Sequence, residues 1–146
     1  MLKAANKISK GIGIDPLCDS GFITGKIELI KGIFPSSFKK PYKFNCITAL
    51  AVLEHIPADK QGEFFDVCYS LLLANGKLII TVPDAEVDDI LQLLKKLRFV
   101  NGMNLEQHHK FDSNKTPELA AAAGFKMLLH KHFELRLNNL YVFVKS

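Results

Sequence analysis

The stretch that most constrains this chain is residues 44–83, which reads as strand, helix, strand. Phe44, Cys46, Ile47 and Leu50 make a short, nearly all-apolar run bounded by polar residues, the pattern of a strand buried on both faces of a parallel sheet. From Asp59 a helix is expected, with Phe64, Phe65, Cys68, Leu71 and Leu72 recurring at three- and four-residue steps to form one apolar stripe. Asn75-Gly76 should close it, the glycine taking left-handed backbone. Residues 78–82 then form a second buried strand, rich in β-branched side chains and stopped by Pro83. A right-handed crossover makes the two strands parallel. Ligands of open α/β sheets sit beyond the carboxyl ends of such strands, so chemistry is expected near Ala49, Leu50 and the Glu54-His55-Ile56-Pro57 run.

With 146 residues and 48% hydrophobic content the chain suits one core, so a single domain over 1–146 is expected. Residues 1–10 form its leading helix, 11–83 one half and 84–146 the C-terminal helices and hairpin. The net charge of +4 comes from lysines scattered before Phe44, without the interleaved aromatics of a single-strand groove. They read as a solvated face, and no nucleic-acid partner is expected. Three widely spaced cysteines imply reduced thiols, and no long apolar run or cleavable leader is visible, so the expectation is a cytoplasmic protein with no membrane partner.

Leu2, Ala5 and Ile8 have helical spacing. Residues 11–15, Gly-Ile-Gly-Ile-Asp before Pro16, read as a strand whose carboxyl end presents one carboxylate. Such an acid can accept from two adjacent ribose hydroxyls, or it can open an Asx-type turn; the two readings weigh equally. Residues 26–31 suit a charged edge strand ended by Gly32, and 35–41 a loop. Acids at 84–89 and bases at 95–98 flank an apolar stripe in the order a helix dipole favours. His108-His109 and His130/His132 lack further ligands at metal-binding spacing, so no metal site is expected. Thr116-Pro117 is a helix start with a capping hydroxyl, and Gly124 is its end. Two strands, 125–135 and 140–144, should turn at Asn138-Asn139.

This order of elements resembles class I S-adenosylmethionine-dependent methyltransferases. Ile12-Gly13-Ile14-Asp15-Pro16 looks like the end of their second strand and Ile30-Lys31-Gly32 like the end of the third. Residues 47–56 resemble the fourth strand and its loop, 73–83 the fifth, and 123–145 the closing hairpin. The resemblance implies an α/β, Rossmann-like three-layer sandwich with a mostly parallel sheet and a C-terminal antiparallel hairpin. Its implied cofactor is S-adenosylmethionine. Asp15 and Pro16 would lie at the ribose, Gly32 and Ile33 would flank the adenine, and Ala49 and Leu50 would line the crevice. His55, at the rim, would be the base toward a small-molecule acceptor. Ile33 stands where the family often carries an acid, and Asn45 where an Asp is common.

No glycine-rich loop or strand of the family's first type is visible before Gly11. In the family that strand is central, so its lack leaves a gap about two ~4.8 Å spacings wide or a direct pairing of 11–15 with 44–50. Those two segments in different sheets, or an all-antiparallel core, would end the resemblance. Two functions are therefore carried forward: methyl transfer to a small molecule, or a truncated, non-catalytic scaffold, as a partner subunit or homo-oligomer, that no longer binds cofactor. A dinucleotide-binding oxidoreductase ranks below both, since it too needs the glycine loop.

Overall fold

The first glycine-spaced segment does fold as a strand, but in a sheet of its own. The structure, a computed structural model, describes residues 9–23, 25–84 and 112–146. The chain divides into two compact units, Met1–Pro41 and Tyr42–Ser146. The leading helix, the helix expected over 84–98 and most of the linker with His108 and His109 lie outside the described residues.

In the first unit β1 (Gly11–Asp15), β2 (Gly21–Ile23) and β3 (Ile27–Lys31) form a three-stranded sheet in the order β1-β3-β2. β1 runs parallel to β3, with Gly11 opposite Ile27 and Asp15 opposite Lys31. β2, which no periodicity announces, pairs antiparallel on the other side of β3. The segment expected at a sheet edge is thus the central strand, and its Glu28 accepts both contacts of Lys40 Nζ, at 2.5 and 2.6 Å. This pairing neutralises a carboxylate that is only 19% exposed.

The second unit holds β4 (Phe44–Leu50), α1 (Ala58–Leu71), β5 (Leu72–Pro83), α2 (Thr116–Ala122), β6 (Phe125–Phe133) and β7 (Asn138–Lys145). Its sheet runs β4-β5-β7-β6. β4 and β5 are parallel, as the crossover demands, while β5-β7 and β6-β7 are antiparallel and form the expected C-terminal hairpin. The architecture is therefore α/β with two mixed sheets, in place of one mostly parallel sheet, and residues 11–15 do not pair with 44–50.

The core belongs to one face of the second sheet. Leu78, Ile80 and Val82 of β5 stand opposite Phe143, Tyr141 and Asn139 of β7, and all six are buried. The α1 stripe covers them through Phe64, Phe65 and Cys68, with the Phe65 and Phe143 rings edge to face at 6.4 Å. α1 has no basic residue in its last turn. The cations its C-terminal carbonyls favour come from elsewhere: Lys145 Nζ donates to Tyr69 O at 2.7 Å and Leu72 O at 3.0 Å, and Lys43 Nζ donates to Ser70 O.

Four local expectations are corrected. β4 is an edge strand of which only Ala49 is buried, so it is not buried on both faces. After α1 the left-handed residue is Asn75, at φ 61°, while Gly76 is required because a Cβ there would lie 2.8 Å from Leu73 O. Thr116 caps nothing: a 3-10 turn, Ser113–Lys115, runs straight into α2, so Thr116 is already helical, and Asp112 caps that turn by accepting from Asn114 N. The hairpin turns at Glu134, Leu135 and Arg136, with φ of 50°, 57° and 70°, because Asn138 and Asn139 are paired residues of β7.

Candidate functional site

In the first unit the parallel pairing of β1 and β3 brings Asp15, Pro16, Gly32 and Ile33 to one sheet edge, where both strands end. Gly32 N donates to Asp15 O at 3.2 Å, which ties the two ends together. Asp15 Oδ1 accepts from Leu17 N at 2.7 Å. That is the Asx-type turn, and it fixes the carboxylate through one of its oxygens.

The loop after β3 closes on itself. A Cβ at Gly32 would come within 2.1 Å of Ser37 Oγ, so only glycine lets Ser37 approach. Ser37 Oγ accepts from Ile33 N at 3.0 Å, and Ile33 O accepts from Ser37 N and Ser36 Oγ, each at 2.9 Å. Both backbone N–H groups expected beside an adenine, those of Gly32 and Ile33, are thus engaged within the unit. What Ile33 offers outward is its side chain, 66% exposed.

In the second unit Ala49, Leu50 and His55 follow one another past the end of β4. Ala49 is buried and turns its methyl into the core, whereas Leu50 is 56% exposed. Ala51 then takes φ 53°, a left-handed conformation that costs a non-glycine residue on the order of 1–2 kcal/mol. It is held by β5, since Ala51 N donates to both Thr81 O and Thr81 Oγ1 at 3.1 Å. His55 lies exposed at the end of the 3-10 turn Leu53–His55, after buried Leu53 and Glu54. Gln61 of α1 clamps this loop, its Nε2 donating to Ile56 O at 3.0 Å and Leu53 O at 3.4 Å.

A second polar group occupies the same sheet, at the end where β5 stops. Asn139, buried, donates from Nδ2 to Asp84 Oδ2 at 3.0 Å, and its Oδ1 lies 2.8 Å from His130 Nε2. His132 Nδ1 is 4.0 Å from Asp84 Oδ2. The His130 ring stacks on Tyr141 at 4.3 Å and lies 4.8 Å from His132. Burial, then the Asp84 charge, pushes the Tyr141 hydroxyl above the ordinary tyrosine range. Among the described residues no three metal-ligating side chains converge.

A family described as methyltransferase domain matches residues 2–130, across both units. The chain belongs to the methyltransferase domain family. Residues 11–15 and 44–50 do lie in different sheets, the outcome expected to end the resemblance, and the family match over residues 2–130 shows that criterion to have been too strict. Several solved structures share the fold of this methyltransferase domain. One is magnesium protoporphyrin IX methyltransferase from Synechocystis with bound SAH, at 16% identity and TM-score 0.60, covering 84% of this chain and 52% of that one. Another is a SAM-dependent methyltransferase from Methanosarcina mazei, at 16% identity and TM-score 0.66, covering 99% and 85%. A third is LepI in complex with SAM, at 17% identity and TM-score 0.67, covering 99% and 38%. The chain spans about half the length of the Synechocystis enzyme. No curated protein matches it.

Within this domain, the residues singled out from sequence fall into two groups, Asp15, Pro16, Gly32 and Ile33 in the first unit and Ala49, Leu50 and His55 in the second. Sequence reasoning discounted His130 and His132 as metal ligands and did not connect them with Asp84 or Asn139. Their alternation on a strand was visible, but its partner Asp84 is 55 residues from Asn139. Nor did it single out Thr81 and Gln61, which hold the His55 loop. No described helix is long and apolar enough to cross a membrane.

Proposed function

We propose that this chain is an S-adenosylmethionine-dependent methyltransferase that acts on a small-molecule acceptor. The observation that carries this reading is the Asp15 edge within the family match: a carboxylate fixed by one backbone donor, next to an exposed apolar Ile33, at the ends of two parallel strands. A ribose diol and an adenine face need those two surfaces. Asp15 and Pro16 would hold the ribose, Gly32 and Ile33 would flank the base, and Ala49 and Leu50 would line the crevice, Ala49 by its backbone. The cofactor, when bound, supplies a methyl group on a sulfonium. The protein's part is chiefly to align the acceptor, and His55, exposed on a loop that Gln61 clamps, would be the base toward it. A Rossmann-like three-layer arrangement and a single domain over 1–146 belong to the same proposal. The free thiols Cys18, Cys46 and Cys68 accord with a reducing, cytoplasmic setting.

Calorimetric titration with S-adenosylmethionine tests it. Heat of binding is expected for the wild-type chain, with affinity falling about tenfold in Asp15→Ala as a charged hydrogen-bond acceptor is lost. No heat at high protein concentration would favour the second reading, a scaffold that no longer holds cofactor. That reading draws on the inward engagement of the Gly32 and Ile33 N–H groups.

A further inference from the structure

The two open edges of the second sheet are built differently. β6, at one edge, carries Lys126, His130, Lys131 and His132 and a bulge between Met127 and Leu129, devices that keep an edge from pairing with a further strand. β4, at the other, is Phe-Asn-Cys-Ile-Thr-Ala-Leu, seven residues with no charge and no proline, and its register against β5 is irregular only at the amino end, between Phe44 and Cys46. Asn45, Cys46, Thr48 and Leu50 are exposed. Among the described residues no strand pairs with the outer side of β4. The β5 ladder fixes which backbone groups face that side. Ala51 N donates to Thr81 O, just past β4. Alternate residues of a strand bond to the same neighbour, so Ala49 and Ile47 direct their N–H and C=O groups to β5, and Cys46, Thr48 and Leu50 direct theirs outward.

We propose that β4 is the interface between two copies of this chain, which pair antiparallel about a two-fold axis at Ile47 and join two four-stranded sheets edge to edge. This goes beyond the methyl-transfer reading and does not depend on it. The register is the one that overlaps all seven residues of the strand: Phe44 meets Leu50 of the second copy, Asn45 meets Ala49, Cys46 meets Thr48, and Ile47 meets itself. Residues so paired share a face, and the outward backbone groups of Cys46 and Thr48 exchange hydrogen bonds. A second copy is the occupant because the edge matches itself. In a two-fold pairing every charge on a strand returns as a like charge on the same seam, where it repels. β4 has none, and its Phe44 and Leu50 add an apolar contact, whereas β6 would gather two copies each of Lys126 and Lys131. The pairing uses none of the groups that hold the β4-β5 ladder, and the loop with His55 lies outside the paired stretch.

Sedimentation velocity of the full chain over a concentration series tests it. A seven-residue strand pairing is a small interface, so a reversible dimer of twice 16.3 kDa is expected, populated in the micromolar range. Thr48→Pro removes an outward N–H and spares the β5 ladder, and it should raise the dissociation midpoint at least about tenfold. Thr48→Cys sets a second thiol opposite Cys46 of the other copy, at ~5.5 Å between Cα atoms and so within disulfide reach. Mild oxidation should then give a covalent dimer joined between positions 46 and 48, and Lys131→Cys on the β6 edge should give no more cross-linking than wild type. Where Thr48→Pro fails to fold, the cross-link alone decides. A monomer at every concentration, a dimer that folded Thr48→Pro leaves at full strength, or cross-linking at position 131 in place of 48 would overturn the proposal.

Discussion

The two units divide labour unevenly. No described residue from 9 to 41 is buried, whereas every buried side chain among the described residues, from Ala49 to Phe143, belongs to the second unit. Yet four of the seven residues proposed to meet cofactor or acceptor, Asp15, Pro16, Gly32 and Ile33, sit in the first. Stability is thus concentrated in the β5-β7-α1 core, and the ribose-side candidates stand on a small sheet held by backbone pairing and polar contacts such as Lys40-Glu28 and Ser37-Ile33. Regions with few buried apolar contacts open at low free energy. Ligand-binding segments are commonly drawn from that end of the range.

The largest effect should come from breaking the core. Phe65→Ala removes a fully buried ring from the α1-β7 contact and should cost about 3–5 kcal/mol by urea unfolding, while Ile14→Ala in the half-buried first sheet should cost less than half as much. Equal losses would erase the comparison. A pH series sharpens it next. Burial pushes the Cys68 thiol up from 9.0 to about 12, so the native chain keeps a proton that the unfolded chain loses. The stabilisation is whole below pH 9.0 and is lost as pH rises from there toward 12, by about 1.4 kcal/mol per pH unit. Cys68→Ala should flatten that alkaline limb in urea titrations, and an unchanged slope would assign the limb to other groups. The smallest effect is a gain. Leu135 is 94% exposed at a left-handed φ of 57°, so Leu135→Gly should relieve strain without loss of packing and raise stability by about 1 kcal/mol in thermal melts.

What sequence revealed follows the range of the forces involved. β1, β4, α1 and the closing hairpin were legible because local periodicity and Pro or Gly punctuation carry them. The three-residue β2 was not, since Gly21-Phe22-Ile23 is too short to show a period. The hairpin turn was misplaced because Asn138-Asn139 has the composition of a turn, while Glu134-Leu135-Arg136 has none and is forced into left-handed backbone by the strand register. The split into two sheets depends on pairing between distant segments, which no local pattern records. Asp15 was singled out because an acid at the carboxyl end of a strand has recognisable chemistry, and Gly32 because the resemblance implies it. The Asp84-Asn139-His130-His132 group was missed because only the β5-β7-β6 register assembles it.

Amide hydrogen exchange with and without S-adenosylmethionine tests the account most directly. Without ligand, amides of β5 and β7 should be the slowest in the chain and those of β1 and β3 far faster. With ligand, protection should rise in residues 11–15 and 27–33, while β5 and β7 barely change. Protection confined to the second unit, or no change at Asp15, Gly32 and Ile33, would contradict the assignment of the ribose and adenine contacts to the first.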